Sequence, residues 1–212
     1  MAETKTTMAT VKIKVTSGST GTVHGYHLYT GIRRIQPWVK SDPSVLINTF
    51  SGIINGPNKL ETHENSFVSI RCDVNKAPEF FHLAGQKIVI GHGSVTMGIP
   101  TIHPIIPESK LFARSVRINL ANNRSNVEPE TFLLAVNRQL AELGIKGQAS
   151  LLERKILRVK NAIIPTYGVM VADLDDASSI LLQSVGIGGS KKMGCGFFQP
   201  VKRSPEFDWE CA

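Results

Sequence analysis

The chain has 212 residues, of which 42% are hydrophobic and 19% charged, a balance typical of folded domains and not of disordered chains. A formal net charge of +7 favours a polyanionic partner, although a modest basic excess is common in itself. There is no bilayer-spanning apolar run, no secretion-signal pattern in the first ten residues and no paired spacing among the three cysteines. We therefore expect a cytoplasmic protein without disulfides or zinc.

The first half of the chain is predicted to form a β-α-β-β-α-β unit. Alternation over 11–16 predicts a strand, and the Ser/Gly/Thr-rich stretch over 17–22 predicts a loop. Apolar residues at helical spacing predict a helix from Tyr26. The remaining predicted elements are a strand over 45–54, a strand over 66–74, a short helix over 77–83 and two short strands within 86–98.

The second half repeats this order after a predicted linker over 99–110, which contains three prolines and no periodicity. A helix is expected to open at Glu128, with Pro129 in its first turn, and to end at Gly144. The other predicted elements are a strand over 111–118, a hairpin of strands 154–160 and 165–174, a helix over 177–185 capped by Asp175 or Asp176, a glycine-rich loop over 186–196 and a strand over 195–201.

Two such units predict an α+β fold of two tandem ferredoxin-like domains, each a four-stranded antiparallel sheet with two helices on one face. We expect an N-terminal domain over 1–98 and, after the linker, a C-terminal domain over 111–203. A tail over 204–212 has no readable role.

The glycine-rich loop is the most informative stretch, because five of its eleven residues are glycine and two lysines lie between them. Glycine lets backbone N–H groups approach a phosphate closely, and lysine adds positive charge. A Walker A loop and a dinucleotide-binding loop both precede a helix, whereas this loop precedes a strand. We predict a phosphate-binding loop rather than an ordinary turn, with contacts from Gly188, Gly189, Ser190, Lys191 and Lys192.

Four motifs carry a family resemblance that extends from about residue 22 to residue 201. The loop and following strand, GIGGSKKMGCGFFQP, resemble the signature of the CRISPR repeat-RNA-processing endoribonucleases of the repeat-associated mysterious protein superfamily. They look most similar to a subgroup first named from myxobacterial-type systems. HGYHLYTGIRRIQP resembles that subgroup's first helix, MGIPTIHPIIPESKLFARSVRI its inter-domain passage, and ERKILRVKNAIIPTYGVMV its basic hairpin.

The resemblance implies the same two-domain fold and an enzyme that cuts precursor CRISPR RNA once, with neither metal nor cofactor. The implied chemistry is attack of a ribose 2′-OH on the adjacent phosphate, which leaves a 2′,3′-cyclic phosphate and a 5′-OH. It needs a base, an acid and groups that stabilise the charge of the phosphorane. The implied partners are the repeat RNA, whose 3′ stem stays bound, and other subunits of a CRISPR effector complex. No membrane partner is expected.

The catalytic residues are assigned by the resemblance. The subgroup's His-Gly-Tyr start points to His24 first and His27 second, although other branches place the histidine at the position of Tyr29. Tyr26 and Tyr29 are candidates for orienting the base or the phosphate, and core packing is the alternative. A cap or a surface position is the ordinary alternative for either histidine. No His, Asp or Glu spacing is convincing for a metal.

The predicted RNA-contacting surface is basic. A hairpin strand with four cations is implied by the resemblance to dock a repeat stem, and a merely solvated face is an equal alternative. Two further arginines lie off the apolar stripe of the first helix. The full predicted set outside the loop is Arg33, Arg34, Arg154, Lys155, Arg158 and Lys160.

Three other functions stay open at this point. One is a non-catalytic RNA-binding scaffold subunit of a CRISPR effector complex, and another is an enzyme whose main role is to hold the 3′ stem. The third is a ferredoxin-like module that binds a small ligand or a protein, since the fold does not decide function. RNA affinity that falls steeply with salt argues against the third, and cleavage in EDTA argues against the first.

Overall fold

The computed structural model describes residues 8–119, 127–159 and 162–201. Within these ranges the chain forms two antiparallel sheets, and each sheet has a hydrophobic core of its own. The predicted α+β class with two ferredoxin-like units is confirmed. Among the described residues, no helix combines the length and the hydropathy needed to cross a membrane.

The N-terminal sheet is built around one long central strand, β1, with α1 packed on one face. Its four principal strands lie in the order β7-β1-β5-β2, which is the ferredoxin-like arrangement, and two hairpins extend it. The elements are β1 (Met8–Gly21), α1 (Gly25–Ile35), a 3₁₀ helix (Pro37–Lys40), β2 (Leu46–Asn48), β3 (Ile53–Ile54), β4 (Lys59–Glu61), β5 (Phe67–Asp73), a 3₁₀ helix (Val74–Leu83), β6 (Lys87–Ile90) and β7 (Gly93–Pro104).

The C-terminal sheet repeats this arrangement, with the strand order β11-β8-β10-β9. The side chain of Asp175 caps the last helix by accepting from the backbone N–H of Ser178 at 2.7 Å, so Asp175 and not Asp176 is the N-cap. The elements are β8 (Leu111–Val116), α2 (Pro129–Glu142), β9 (Gln148–Val159), β10 (Ala162–Ala172), α3 (Asp176–Val185), a 3₁₀ helix (Lys191–Met193) and β11 (Gln199–Pro200).

The alternation and the helical stripes identify which faces are buried. Val11, Ile13 and Val15 of β1 are fully buried and pack beneath Leu28 and Ile32 of α1. In the second unit, Phe132, Val136 and Leu140 of α2 enter the core as the spacing predicts. Leu143, predicted on the same face, is exposed, because the helix ends at Glu142 and the chain turns away at Gly144.

Tertiary pairing changes several predicted boundaries in the first unit. The predicted loop over 17–22 is wrong, because Ser17–Ser19 pair with β7 and 19–21 pair with β4. The predicted linker is wrong over 99–104, since β7 stays paired with β1 as far as Pro104. Polar or proline-rich composition does not prevent pairing where a neighbouring strand supplies the hydrogen bonds.

Two other predicted strands are shorter than expected. The predicted strand over 45–54 divides into β2 and β3, and the last strand retains only Gln199–Pro200. The predicted helix over 77–83 is a 3₁₀ helix that contains Pro78, which lacks the N–H that a longer α-helix would use. Lys160 and the tail over 204–212 lie outside the described residues.

Candidate active site at the domain interface

His24 lies at the start of α1, where it is the N-cap residue and only 4% exposed. Its ring packs on Phe50 at 4.3 Å between centroids, and its Nδ1 lies 3.2 Å from the carbonyl oxygen of Gly21. Its Nε2 is buried and has no hydrogen-bond partner among the described residues. Burial, with a smaller contribution from the nearby Arg114, lowers the pKa of His24 to about 4.

These contacts define the protonation state of the ring. The Gly21 oxygen can only accept, so Nδ1 carries the proton and donates it to that carbonyl. At neutral pH the imidazole is uncharged, and the free lone pair is on Nε2. This is the tautomer that a general base requires, with its orientation fixed by stacking on Phe50 and by the backbone bond.

A small cavity of about 160 Å³ brings His24 together with residues of the C-terminal domain. Arg114 of β8 and Lys155 of β9 line it, beside Thr49 and Met193. Arg114 donates to Asn48 Oδ1 at 3.0 Å, and it also donates to the Thr49 backbone carbonyl. Burial lowers the pKa of the Arg114 guanidinium. The two cations beside His24 therefore come from the other domain.

A second and larger cleft, of about 850 Å³, is also lined by His24. His27 and His92 line it from α1 and from the β6–β7 turn. Arg158 lines it from the β9–β10 hairpin. His24 thus lies between two cavities, and each is closed by a residue of the basic hairpin.

The other predicted residues of the first helix point in different directions. His27 is exposed, and Tyr26 stands edge-on to its ring at 5.5 Å. Tyr29 is 9% exposed and belongs to the hydrophobic core, so packing accounts for its position. The guanidinium of Arg33 lies 5.8 Å from the centroid of the Tyr29 ring, and Arg34 is exposed. The structure thus brings His24 and His27 to the large cleft and leaves Tyr29 in the core.

The basic hairpin presents its charges outside the C-terminal core. Arg154, Lys155 and Arg158 of β9 are all exposed. Lys155 and Arg158 reach the two cavities that flank His24, because β9 continues past its own sheet towards α1. The weakly paired Glu153 carboxylate is 3.9 Å from Lys155.

The glycine N–H groups of the glycine-rich loop are hydrogen-bonded within the protein. Five of its glycine N–H groups already donate to protein acceptors. A phosphate that bound these amides would have to replace an internal hydrogen bond at each of them, and phosphate binding by this loop stays a prediction. The bonds run from Gly186 to Leu182 O (2.9 Å), Gly188 to Gln139 Oε1 (2.8 Å), Gly189 to Arg117 O (2.8 Å), Gly194 to Ile47 O (3.0 Å) and Gly196 to Ser115 O (2.7 Å).

The polar side chains of this loop are also engaged within the protein. Lys191 donates to the carbonyls of Val185 and Gly186 at 2.7 and 3.2 Å, at the C-terminal end of α3. Lys192 donates to the Lys40 carbonyl of the N-terminal domain at 3.0 Å, and Ser190 accepts from Arg117 at 2.8 Å. The loop is thus a clasp that joins the two domains and closes against the start of α1.

A buried arginine also joins the two domains. Arg71 of β5 is 2% exposed and donates to the backbone oxygen of Gln183 at 2.6 Å and to its side-chain oxygen at 3.2 Å. Its guanidinium also lies 4.2 Å from the centroid of the Phe197 ring, and burial lowers its pKa to about 9. The sequence prediction did not include Arg71 or Arg114. The only sign of them in the sequence is that each arginine directly follows a core residue of its predicted strand, Ile70 or Ala113, and so points to the other face of that strand.

The described residues contain no group of three or more His, Cys, Asp or Glu side chains arranged to hold a metal ion.

The comparisons with known proteins agree with this geometry. The sequence matches the family described as Cas6 Crispr over residues 10–203, and the chain belongs to that family. It is 24% identical over 181 residues to a protein of Myxococcus xanthus (strain DK1622) named CRISPR-associated endonuclease Cas6, covering 85% of this chain and 76% of that one.

Solved structures share the fold. A Cas6-related protein from Pyrococcus furiosus aligns with a TM-score of 0.60 and 15% identity, covering 93% of this chain and all (100%) of that one. Thermus thermophilus Cse3, solved bound to an RNA representing a pre-cleavage complex, aligns with a TM-score of 0.55 and 12% identity, covering 91% and 98%. At these identities the likeness establishes the architecture, which is that of two ferredoxin-like domains.

Proposed function

We propose that this chain is an endoribonuclease that binds CRISPR repeat RNA and cuts precursor CRISPR RNA without a metal. The cut proceeds by attack of a 2′-OH and leaves a 2′,3′-cyclic phosphate, and the product stays bound within an effector complex. The observation that carries the proposal is His24, a neutral histidine with an unpaired Nε2, held between two cavities at the domain interface. Family membership supports it, since the Myxococcus relative is named an endonuclease.

His24 is the proposed general base. Its Nε2 takes the proton of the 2′-OH as that oxygen attacks the adjacent phosphorus, and the imidazolium that forms is held by the Gly21 carbonyl. His24 stays unprotonated at neutral pH because its pKa is about 4, so the base form is always present. The same low pKa makes it a weak acceptor, and the reaction relies on orientation and nearby charge for the rest.

The cations of the small cavity are the proposed partners of that base. Arg114 keeps its protons and cannot act as an acid, so its role is to offset the charge of the phosphorane. Lys155 can release a proton, and we assign it to protonate the 5′ oxygen as the P–O5′ bond breaks. The sum of these steps is a 2′,3′-cyclic phosphate and a 5′-OH, with the 2′-OH proton on His24 and one proton lost from Lys155.

RNA must widen the small cavity to reach His24, because Nε2 is covered in the RNA-free chain. Lys155, Ile156 and Leu157 of the β9–β10 hairpin line this cavity. A hairpin that projects from its sheet can bend outward more readily than a core strand. The proposal therefore includes an outward displacement of this hairpin when RNA enters.

The proposed RNA contacts are the exposed cations Arg154, Arg158 and Arg34, which can approach phosphates along the backbone. The loop residues Gly188, Gly189, Ser190, Lys191 and Lys192 also remain proposed RNA contacts, and Lys192 in addition joins the two domains through the Lys40 carbonyl.

One observation favours a second candidate, a non-catalytic RNA-binding scaffold subunit. His24 is buried and stacked on Phe50, as a purely structural histidine would be. In that case the cations bind RNA and no bond is cut.

The test is incubation of the protein with its repeat RNA in EDTA, beside His24→Ala, His27→Ala and Lys155→Ala. Lys146→Ala is the matched control, since Lys146 is exposed in the same domain and lines neither cavity. We expect a single cut with a cyclic 3′ end, abolished in His24→Ala with binding retained, and at least tenfold slower in Lys155→Ala. Tight binding without cutting by the wild type refutes the nuclease and leaves the scaffold.

A further inference from the structure

The large cleft beside His24 is built from the end of β1 and the turns of two hairpins. The end of β1, the β3–β4 turn and the β6–β7 turn form three sides, and Arg158 of the other domain forms the fourth. Thr20 Oγ1 donates to the Ile90 carbonyl at 3.3 Å, and the Thr22 N–H donates to the Asn58 carbonyl at 3.3 Å. These bonds join the end of β1 and the residue that follows it to the two hairpins, so the floor of the cleft is held by hydrogen bonds within the protein.

The groups that line this cleft match the chemistry of a nucleobase and its phosphate. His27 and His92 offer exposed planar rings, and Asn58 offers an amide with both donors and an acceptor. Unpaired bases are recognised by stacking on such rings and by hydrogen bonds to their edges. The volume of about 850 Å³ lies within the range of roughly 300–1,000 Å³ that ligand sites occupy.

The charge of the cleft comes mainly from the other domain. Lys59 lines it, but its ammonium is 2.6 Å from the Glu61 carboxylate and is largely neutralised. Arg158 is exposed and forms no ion pair with any residue that the structure describes. A phosphate entering the cleft would therefore meet Arg158 as its counter-charge.

We infer that this cleft is a subsite for one unpaired nucleotide of the RNA, the nucleotide next to the bond that is cut. The inference rests on the proposed function, because His24 borders the cleft and fixes where the cut occurs. The base stacks on the His92 ring, and Arg158 holds the phosphate. His92 and Asn58 are thereby specificity-determining residues that select an unpaired base at the cleavage position.

The test is a scan of the repeat RNA in which each nucleotide in turn is made abasic. Binding is measured for the wild type, for His92→Ala and for His82→Ala, an exposed histidine outside the cleft. His92 is an exposed turn residue, so its variant is expected to fold. If the wild type cuts, the cut position is mapped first and that nucleotide is made 2′-deoxy, which blocks cleavage and keeps binding as the readout.

We expect one abasic position, next to the cut, to weaken wild-type binding by roughly tenfold, the size of a single base stack. His92→Ala should weaken binding of the intact RNA by a similar factor and then add no further loss at that position, whereas His82→Ala should change nothing. Equal abasic losses in wild type and His92→Ala at every position overturn the subsite, as does coupling at a position remote from the cut. Coupling in an RNA that the wild type never cuts leaves a site for an unpaired nucleotide in the cleft, but it overturns the proposed nuclease and the placement of that nucleotide beside a cut.

Discussion

Replacing His24 with glutamine should remove one identifiable part of the acid sensitivity of folding. In the folded chain burial holds the pKa of His24 at about 4, whereas an unfolded histidine titrates near 6.5. Above about pH 6.5 both states are neutral at this residue and its titration has no effect on stability. Below about pH 6.5 the unfolded chain binds a proton at His24 and the folded chain does not, so stability falls as the pH falls.

The magnitude follows from the two pKa values. The free energy of unfolding should drop by about 1.4 kcal/mol for each pH unit between the unfolded and folded pKa, or about 3 kcal/mol by pH 4. Between pH 6.5 and 5.0 the wild type should lose about 1.5 kcal/mol more than His24→Gln, because glutamine does not titrate.

Urea unfolding at pH 7.0, 6.5, 5.5 and 5.0 provides the measurement, with His27→Gln as the control for an exposed histidine on the same helix. The absolute stabilities are expected to differ between variants, and the relevant quantity is how the difference changes with pH. Parallel pH profiles for the wild type and His24→Gln would refute the assignment of His24 as a buried neutral histidine.

Gly25→Ala and Arg71→Ala test the domain interface, with Gly189→Ala as the comparison for the first. Gly25→Ala would place a methyl carbon against the Met193 carbonyl, well inside van der Waals contact, and should lower the free energy of unfolding in urea by about 1–3 kcal/mol. Gly189→Ala, whose nearest neighbour is 4.0 Å away, should be nearly neutral. Equal effects of the two substitutions would contradict the role of the glycine-rich loop as a clasp between the domains. Arg71→Ala should cost about 3 kcal/mol because it leaves both oxygens of Gln183 without their donor, and a loss under about 0.5 kcal/mol, the size of a surface substitution, excludes this role.

The sequence was sufficient to predict the fold because each unit repeats one local pattern. The alternation in β1 and the stripes of α1 and α2 specify which faces are buried, and the order of the elements specifies the ferredoxin-like sheet. Strand ends were predicted less well, as in 17–21 and 99–104, because pairing with a distant strand decides them and composition does not.

The candidate site was only partly predictable, for a different reason. The resemblance led to His24, whose burial and free Nε2 depend on Phe50 and on the opposite domain. Arg71 and Arg114 were missed because a cation on the outer face of a strand is ordinarily solvated. The glycine-rich loop was correctly located, but its glycines permit positive φ and close packing, as at Gly188 and Gly196 against backbone carbonyls, and their N–H groups are used internally.

The most direct test of His24 as the general base is the pH dependence of kcat/KM for RNA cleavage, since this quantity reports the pKa of groups in the free protein. Measured in EDTA with RNA well below saturation, from pH 4.5 to 8, the rate should stay level down to about pH 5.5 and fall only as the pH approaches the His24 pKa of about 4. The profile of His27→Gln should coincide with it. A decline at higher pH that disappears in His27→Gln would contradict the assignment and make His27 the base.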